Sequence, residues 1–239
     1  VFLFKKQTLS ASFALTKFKP NLNQIKIKYR ANHMTLKTSS QDLPQIVLGS
    51  TSPFRKSLLD KLHLPFIQCS SEIDESPLDG ETPKEMVLRL SHTKASAFTS
   101  KYPNHIIITS DQCAVFNNQP VGKPHTYENA VKQLESFSNN SITFYTGLVV
   151  INTAKNNTFE YLDSTTVHFR KLTKEVIHNY ISIEQPLKCA GSFKSEGLGV
   201  TLFNKIDSRD PNALIGLPLM ALTDIFYEMG FALPILNEK

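Results

Sequence analysis

The 239-residue chain contains neither G-x-x-x-x-G-K-[ST] nor G-x-G-x-x-G, so P-loop and dinucleotide-fold readings fail. Its seven histidines form no HxxH or HExxH pair, which argues against a zinc site. The three cysteines, Cys69, Cys113 and Cys189, are odd in number and show no CxxC spacing. That is the pattern of a reducing, cytoplasmic compartment rather than of a disulfide frame. No apolar stretch approaches the ~20 residues of a membrane span, and no internal repeat or low-complexity tract is visible.

Acidic residues are missing altogether from residues 1–33, which hold seven basic ones: Lys5, Lys6, Lys17, Lys19, Lys26, Lys28 and Arg30. Taking those seven from the 26 Lys and Arg leaves 19 against 21 Asp and Glu, a formal charge of −2 for the remainder. The +5 of the whole chain therefore belongs to this basic leader, and the main body offers no electrostatic footprint for nucleic acid. Thr8, Ser10, Ser12 and Lys17 interrupt any secretory apolar core. The leader reads either as the product of an upstream start, with Met34 as the natural one, or as a targeting peptide. Over the whole chain, 41% apolar and 20% charged residues are ordinary for a soluble globular protein.

The organising stretch is Ile46 to Leu59, I-V-L-G-S-T-S-P-F-R-K-S-L-L. An apolar run predicts a buried strand, and Gly49-Ser50 breaks it. Ser52 then stands as a helix N-cap with Pro53 at the first helical position. Strand, small-residue turn and helix aim backbone N–H groups, a helix dipole and two hydroxyls at one point, and Arg55 adds a cation. Phosphate suits that geometry; a plain tight turn is the alternative.

Pro65 to Cys69 reads as a short strand, followed by the acidic loop Ser71 to Pro77. Glu72, Asp74 and Glu75 repel one another unless a cation sits among them, so the loop is a metal or catalytic loop, or a solvated turn. Thr82-Pro83-Lys84-Glu85 is a helix start of the capping-box type, predicting a helix to about Ser100 that carries Lys94. His105 to Gln112 is a second strong strand, which predicts Asp111 at a carboxyl end, where open α/β sheets bind ligands. Lys123 lies between Gly122 and Pro124. Helices are predicted over Thr126–Phe137 and Leu172–Ile183, with strands over Ile142–Ile151 and Phe159–Phe169 about an Asn156-Asn157 turn. Cys189 to Gly199 is a glycine-rich loop able to approach a ligand closely. Val200–Phe203 returns to strand, Asp210-Pro211 turns the chain, and a last helix runs to about Gly230.

In this order, S-T-S-P-F-R, D-E-S, Lys94, S-D-Q, G-K-P, A-G-S-F-K-S-E-G and I-G-L-P resemble the signatures of the Maf family of nucleoside-triphosphate pyrophosphatases. The resemblance covers about Ile46 to Leu233. It implies an α/β fold with an elongated, bent mixed β-sheet, flanking helices and two lobes around a nucleotide cleft. By it, residues 1–44 are a basic leader, disordered or not native, and residues 45–239 are the domain. It implies hydrolysis between the α and β phosphates with a divalent cation, Mg2+ or Mn2+. Carried over, Asp111 is the proton acceptor, Glu75 and Asp111 hold metal, and Ser50, Ser52, Arg55, Lys94 and Lys123 bind phosphate.

Within the family, Phe54, Gln112 and the S-F-K-S-E-G loop are similar to the branch that prefers 7-methyl-GTP; the dTTP/UTP branch has Arg and Thr at the first two positions. A methylated, cationic guanine is attracted by an aromatic face such as Phe54. A carboxylate such as Glu196 can accept from guanine N–H groups. Phe54 as packed core and Glu196 as a loop ion-pair partner are the plain alternatives, and Cys113 and His125 read as structural. The resemblance also leaves open a dTTP/UTP enzyme or a nucleotide-binding regulator of septum formation. It implies a small-molecule nucleotide partner, no stable nucleic-acid or membrane binding, and a homodimer.

Overall fold

The structure, a computed structural model, describes residues 7–8, 36–39 and 42–236. Apart from Gln7 and Thr8, the expectations about residues 1–33 and Met34 lie outside the described residues. The strands are β1 (Gln7–Thr8), β2 (Lys37–Ser39), β3 (Ile46–Leu48), β4 (Phe66–Gln68), β5 (Ile106–Phe116), β6 (Gln119–Val121), β7 (Ser141–Asn152), β8 (Asn157–Phe169), β9 (Phe203–Asp207) and β10 (Phe231–Leu236). The helices are α1 (Pro53–Asp60), α2 (Pro83–Ser96), α3 (Tyr127–Phe137), α4 (Lys174–Glu184), α5 (Pro211–Ile215) and α6 (Leu219–Glu228).

The main sheet has the order β1-β8-β7-β5-β3-β4, with β6 on β5 and β9 on β8. It is mixed: β3 is parallel to β4 and β5, whereas β6 and β9 pair antiparallel. The α/β class with a mixed sheet and helices is thus as the sequence predicts. A separate parallel pair joins β2 to β10.

The chain divides into two compact units, and β5, β7 and β8 each contribute residues to both. The first comprises residues 1–111, 147–161 and 219–239. Its core packs Val47, Ala95, Phe98, Ile107, Val149 and Ile151. The apolar runs of β3 and of β5 at Ile106–Ile108 are fully buried, as expected for strands covered on both faces. The second comprises residues 112–146 and 162–218. Its core centres on Phe169, Phe193 and Phe203, whose rings meet edge to face at 4.8–5.7 Å between centroids, a favoured aromatic geometry.

Three local expectations need correction. Asp111 does not end a strand: β5 runs on to Phe116, because Ala114 to Phe116 pair with β6. Val200–Leu202 is not strand but part of a 3-10 turn over Leu198–Leu202; extended structure begins at Phe203, where pairing with Phe169 becomes available. The helix carrying Lys94 stops at Ser96, with Ala97 as cap. In addition, α5 follows the Asp210-Pro211 turn, with the Asp210 side chain accepting from Asn212 N–H.

Gly49 is required by close packing. A Cβ there would lie 2.5 Å from the Phe98 ring and 2.7 Å from Thr109 Cγ2. Gly49→Ala is expected to cost about 1–3 kcal/mol as an overpacking substitution. A denaturant midpoint that falls without a change in slope would show it.

Candidate active site

The turn after β3 forms as the sequence predicts. Ser52 caps α1, its hydroxyl accepting from Arg55 N–H at 3.4 Å, with Pro53 in the first turn. Ser50, itself buried, accepts from Ser52 N–H at 3.2 Å and from the Arg55 guanidinium at 3.4 Å. The turn is also clamped from outside: Gln68 Nε2 donates to the carbonyls of Ser50 and Ser52 at 2.8 and 3.5 Å. Gln68 carried no signal in the sequence, because a polar residue at a strand end reads simply as solvated.

Lys94 is the centre of the first unit's charged cluster. It lies on the last turn of α2, and its Nζ is 2.6 Å from Asp111 Oδ1 and 2.7 Å from Glu75 Oε1. The side chains of Lys94 and Asp111 keep 9% and 12% of their exposure, whereas Glu75 keeps 59%. The pair Lys94–Asp111 is thus held in a protein environment, and Glu75 reaches it from the solvent side. The half-buried Arg55 belongs to the same field: burial pulls its guanidinium below the ordinary value, and the charges of Asp111 and Glu75 oppose that shift.

The elements that place these groups are themselves locked. On α2 the Thr82 hydroxyl accepts from Glu85 N–H while the Glu85 carboxylate accepts from Thr82 N–H at 3.0 Å. Thr109 Oγ1 donates to Ser91 O at 2.7 Å, tying α2 to β5 three residues before Lys94 and two before Asp111. The acidic loop is pinned by Arg89, which binds both Glu81 oxygens at 2.5 and 2.7 Å and donates to Ser76 O at 3.1 Å. Hydrogen bonding to Arg89 is what lowers the Glu81 carboxyl from its ordinary value. Asp74 accepts from Ser76 N–H at 2.9 Å and so stays a turn residue, leaving Glu75 as the carboxylate that faces Lys94. The Arg89–Glu81 pair spans a helix cap, so no fixed sequence spacing announced it.

Ser50, Ser52, Arg55, Glu75, Lys94 and Asp111 therefore gather in the first unit. Phe54, on the first turn of α1, stands 36% exposed, not packed as core. The second unit carries Gln112, Lys123 and Glu196. Gln112 donates from its amide nitrogen to Thr146 Oγ1 and to the carbonyls of Ala213 and Leu214 at 2.9–3.1 Å, so that nitrogen is committed to holding α5. Lys123 and Glu196 are exposed. Burial pushes the Cys189 thiol up; Lys194 and Lys123 oppose that shift, and Glu196 and Glu184 add to it.

Lys94 already pairs with Asp111 Oδ1 and Glu75 Oε1, so a hard divalent cation, which carboxylate oxygens suit, would take the other oxygens of these two residues. Among the described residues no cluster of three or more His, Cys, Asp or Glu forms a metal cage. An ion here would draw on Glu75 and Asp111 and complete its shell from water and substrate phosphates, as Mg2+ commonly does. No helix among the described residues is long and apolar enough to cross a membrane.

An α/β fold here brings together a serine-rich turn at a helix N-terminus, a buried Lys, a half-buried Arg and two convergent carboxylates, groups of the kinds that interact with phosphate and its counter-ions. Over residues 45–229 the chain matches the Maf-like protein family, and it belongs to that family. A 7-methyl-GTP pyrophosphatase of Hydrogenovibrio crunogenus (strain DSM 25203 / XCL-2) is 56% identical over 198 residues, covering 83% of this chain and 99% of that protein. A 7-methyl-GTP pyrophosphatase of Colwellia psychrerythraea (strain 34H / ATCC BAA-681) is 51% identical over 185 residues, covering 77% and 92%. Among solved structures, a HAM1 protein from Coxiella burnetii is similar at 14% identity and a TM-score of 0.44, covering 78% of this chain and 98% of that one.

Proposed function

We propose that this protein is a nucleotide pyrophosphatase that hydrolyses 7-methyl-GTP to 7-methyl-GMP and pyrophosphate. The observation that carries the reading is the shared contact of Lys94 with Asp111 and Glu75, beside the Ser50–Arg55 turn. Identity above 50% to two 7-methyl-GTP pyrophosphatases supports the choice of substrate. The cellular use would be to clear a modified nucleotide before it enters RNA. Cys69, Cys113 and Cys189 are not joined in disulfides, which suits a reducing cytoplasm. A homodimer remains the expectation of the family resemblance.

In this reading the Ser50 and Ser52 hydroxyls, Arg55, Lys94 and Lys123 bind the triphosphate. Asp111 accepts a proton as water attacks the α-phosphorus; the bond from that phosphorus to the α–β bridging oxygen breaks, and pyrophosphate leaves with the electron pair. Lys94 holds Asp111 in position through Oδ1. Arg55 and Lys94 offset the charge that develops on the leaving group, the kind of preorganised stabilisation that contributes most to such reactions. A divalent cation held by Glu75 and Asp111 would neutralise phosphate charge and lower the pKa of bound water. Phe54 and Glu196 read the cationic base, and Gln112 fixes the α5 segment from its strand.

Aromatic and carboxylate contacts to a cationic ring contribute about 1–2 kcal/mol each in a desolvated pocket. Together they predict a preference of at least about tenfold in kcat/KM for 7-methyl-GTP over GTP. The test is pyrophosphate release by the full chain with Mg2+ on 7-methyl-GTP, GTP, dTTP and UTP. Preference for dTTP or UTP would keep the chemistry and remove the base roles of Phe54 and Glu196. No turnover of any of the four would remove 7-methyl-GTP as substrate and move the weight to another nucleotide or to a nucleotide-binding regulator.

A further inference from the structure

The loop that carries Glu196 is built from α4. Glu184, the last residue of that helix, accepts from Leu198 N–H through Oε1 at 2.8 Å. A Cβ on Gly197 would lie 2.6 Å from the same oxygen, so glycine is needed there for the carboxylate to approach. Lys194 is tied to the same residue. Its ammonium donates to the Glu184 carbonyl and lies 3.4 Å from Glu184 Oε2, while its backbone N–H donates to Tyr180 Oη at 3.0 Å.

The loop then closes on itself. Lys194 O accepts from Gly197 N–H at 3.3 Å and Gly199 N–H at 3.1 Å. Together with Leu198, three consecutive amides are satisfied from two residues, Lys194 and Glu184. Ser195 and Glu196 are what the closed loop presents outward, and Glu196 is exposed. Phe193, on the near side, is buried in the aromatic core of its unit.

We infer that Glu184 is a positioning residue for base selectivity, anchoring the 194–199 loop and holding the Lys194 ammonium on itself rather than on Glu196. The inference rests on the proposed role of Glu196 as reader of the cationic base. Lys194 stands two residues from Glu196, and an ammonium paired with that carboxylate would compete with a positively charged guanine for it. Glu184 gives Lys194 another acceptor and gives Leu198 N–H its partner, so the anchor and the charge sequestration come from one side chain.

The test uses the full chain as wild type, Glu184→Ala, Glu184→Gln and Glu184→Ala with Lys194→Met. It measures kcat and KM on 7-methyl-GTP and GTP, and hydrogen exchange at the amides of residues 197–199. For Glu184→Ala the expected result is faster exchange at those amides and a KM for 7-methyl-GTP raised about tenfold, as loss of a charged hydrogen-bond partner warrants. Its kcat stays within about threefold and GTP is little affected, the split that marks lost binding rather than lost chemistry. Removing the Lys194 charge in the double variant restores part of the selectivity, a non-additivity that general destabilisation does not produce. Glu184→Gln keeps an acceptor for Leu198 N–H and falls between; it carries the test if the alanine variant fails to fold. Unchanged selectivity in Glu184→Ala, or an equal loss on both nucleotides, would overturn the inference. If the wild type does not favour 7-methyl-GTP, the substrate reading fails separately. The same variants are then compared on the nucleotide pair the wild type separates most, and unchanged selectivity there, or no separated pair, overturns the inference.

Discussion

Asp111→Asn is expected to lower kcat by about 10²–10⁴-fold, the range that general-base removal usually costs, while KM changes little. The substitution is close to isosteric. An asparagine oxygen can still accept from Lys94, whose Nζ now lies 2.6 Å from Asp111 Oδ1. What it cannot do is take the proton of the attacking water. The effect should therefore fall on kcat, because a proton acceptor acts in the transition state and not in binding. Breaking a buried ion pair from one side usually costs about 3–5 kcal/mol. Here the loss should be smaller, since Glu75 still reaches Lys94 at 2.7 Å and the asparagine keeps a hydrogen bond. Kinetics and a melting curve on the same preparation separate the two effects. A kcat within about tenfold of wild type would remove Asp111 as the proton acceptor.

The phosphate-facing half of this site was legible because its determinants are local. A cap, a proline and a glycine within a few residues of one another specify the turn of Ser50–Arg55, and short-range steric rules decide their geometry. The capping box of Thr82 and Glu85 was legible for the same reason. Asp111 was identified as a residue but misplaced in its strand. The apolar pattern weakens at Ser110-Asp111-Gln112, yet the strand continues because β6 folds back on it across the tight Asn117-Asn118 turn, with Phe116 opposite Gln119; that local turn signal went unread. Long-range pairing, by contrast, leaves no mark on periodicity. β10 is such a case, its Phe231 pairing with Lys37 from the far end of the chain. Gln68, Arg89 and Glu184 went unread because each acts through side-chain bonds to segments 8 to 18 residues away in sequence. Such bonds impose neither composition nor spacing, and only the fold brings them together.

Lys94→Met should be the more damaging change in catalytic efficiency, with a fall in kcat/KM of about 10³-fold, roughly 4 kcal/mol of transition-state stabilisation. Two arguments combine. The ammonium is within 2.7 Å of both carboxylates, and its removal leaves Asp111, 8% exposed, with its nearest cation gone. A triphosphate entering the first unit's site would then meet two carboxylates with less positive charge to offset them, so KM should rise as well as kcat fall. That double effect distinguishes Lys94→Met from Asp111→Asn, in which binding is expected to survive. Arginine is not a full replacement. Lys94 is a compact charge with 9% side-chain exposure, held between two oxygens, and a planar five-donor fork differs in both size and direction. Lys94→Arg should regain nucleotide binding before it regains turnover. Steady-state kinetics of both variants on 7-methyl-GTP, with binding measured on a non-hydrolysable analogue, decide the matter. If Lys94→Met keeps kcat/KM within about tenfold of wild type, the shared Lys94 contact is a structural ion pair and the catalytic reading of the cluster falls with it.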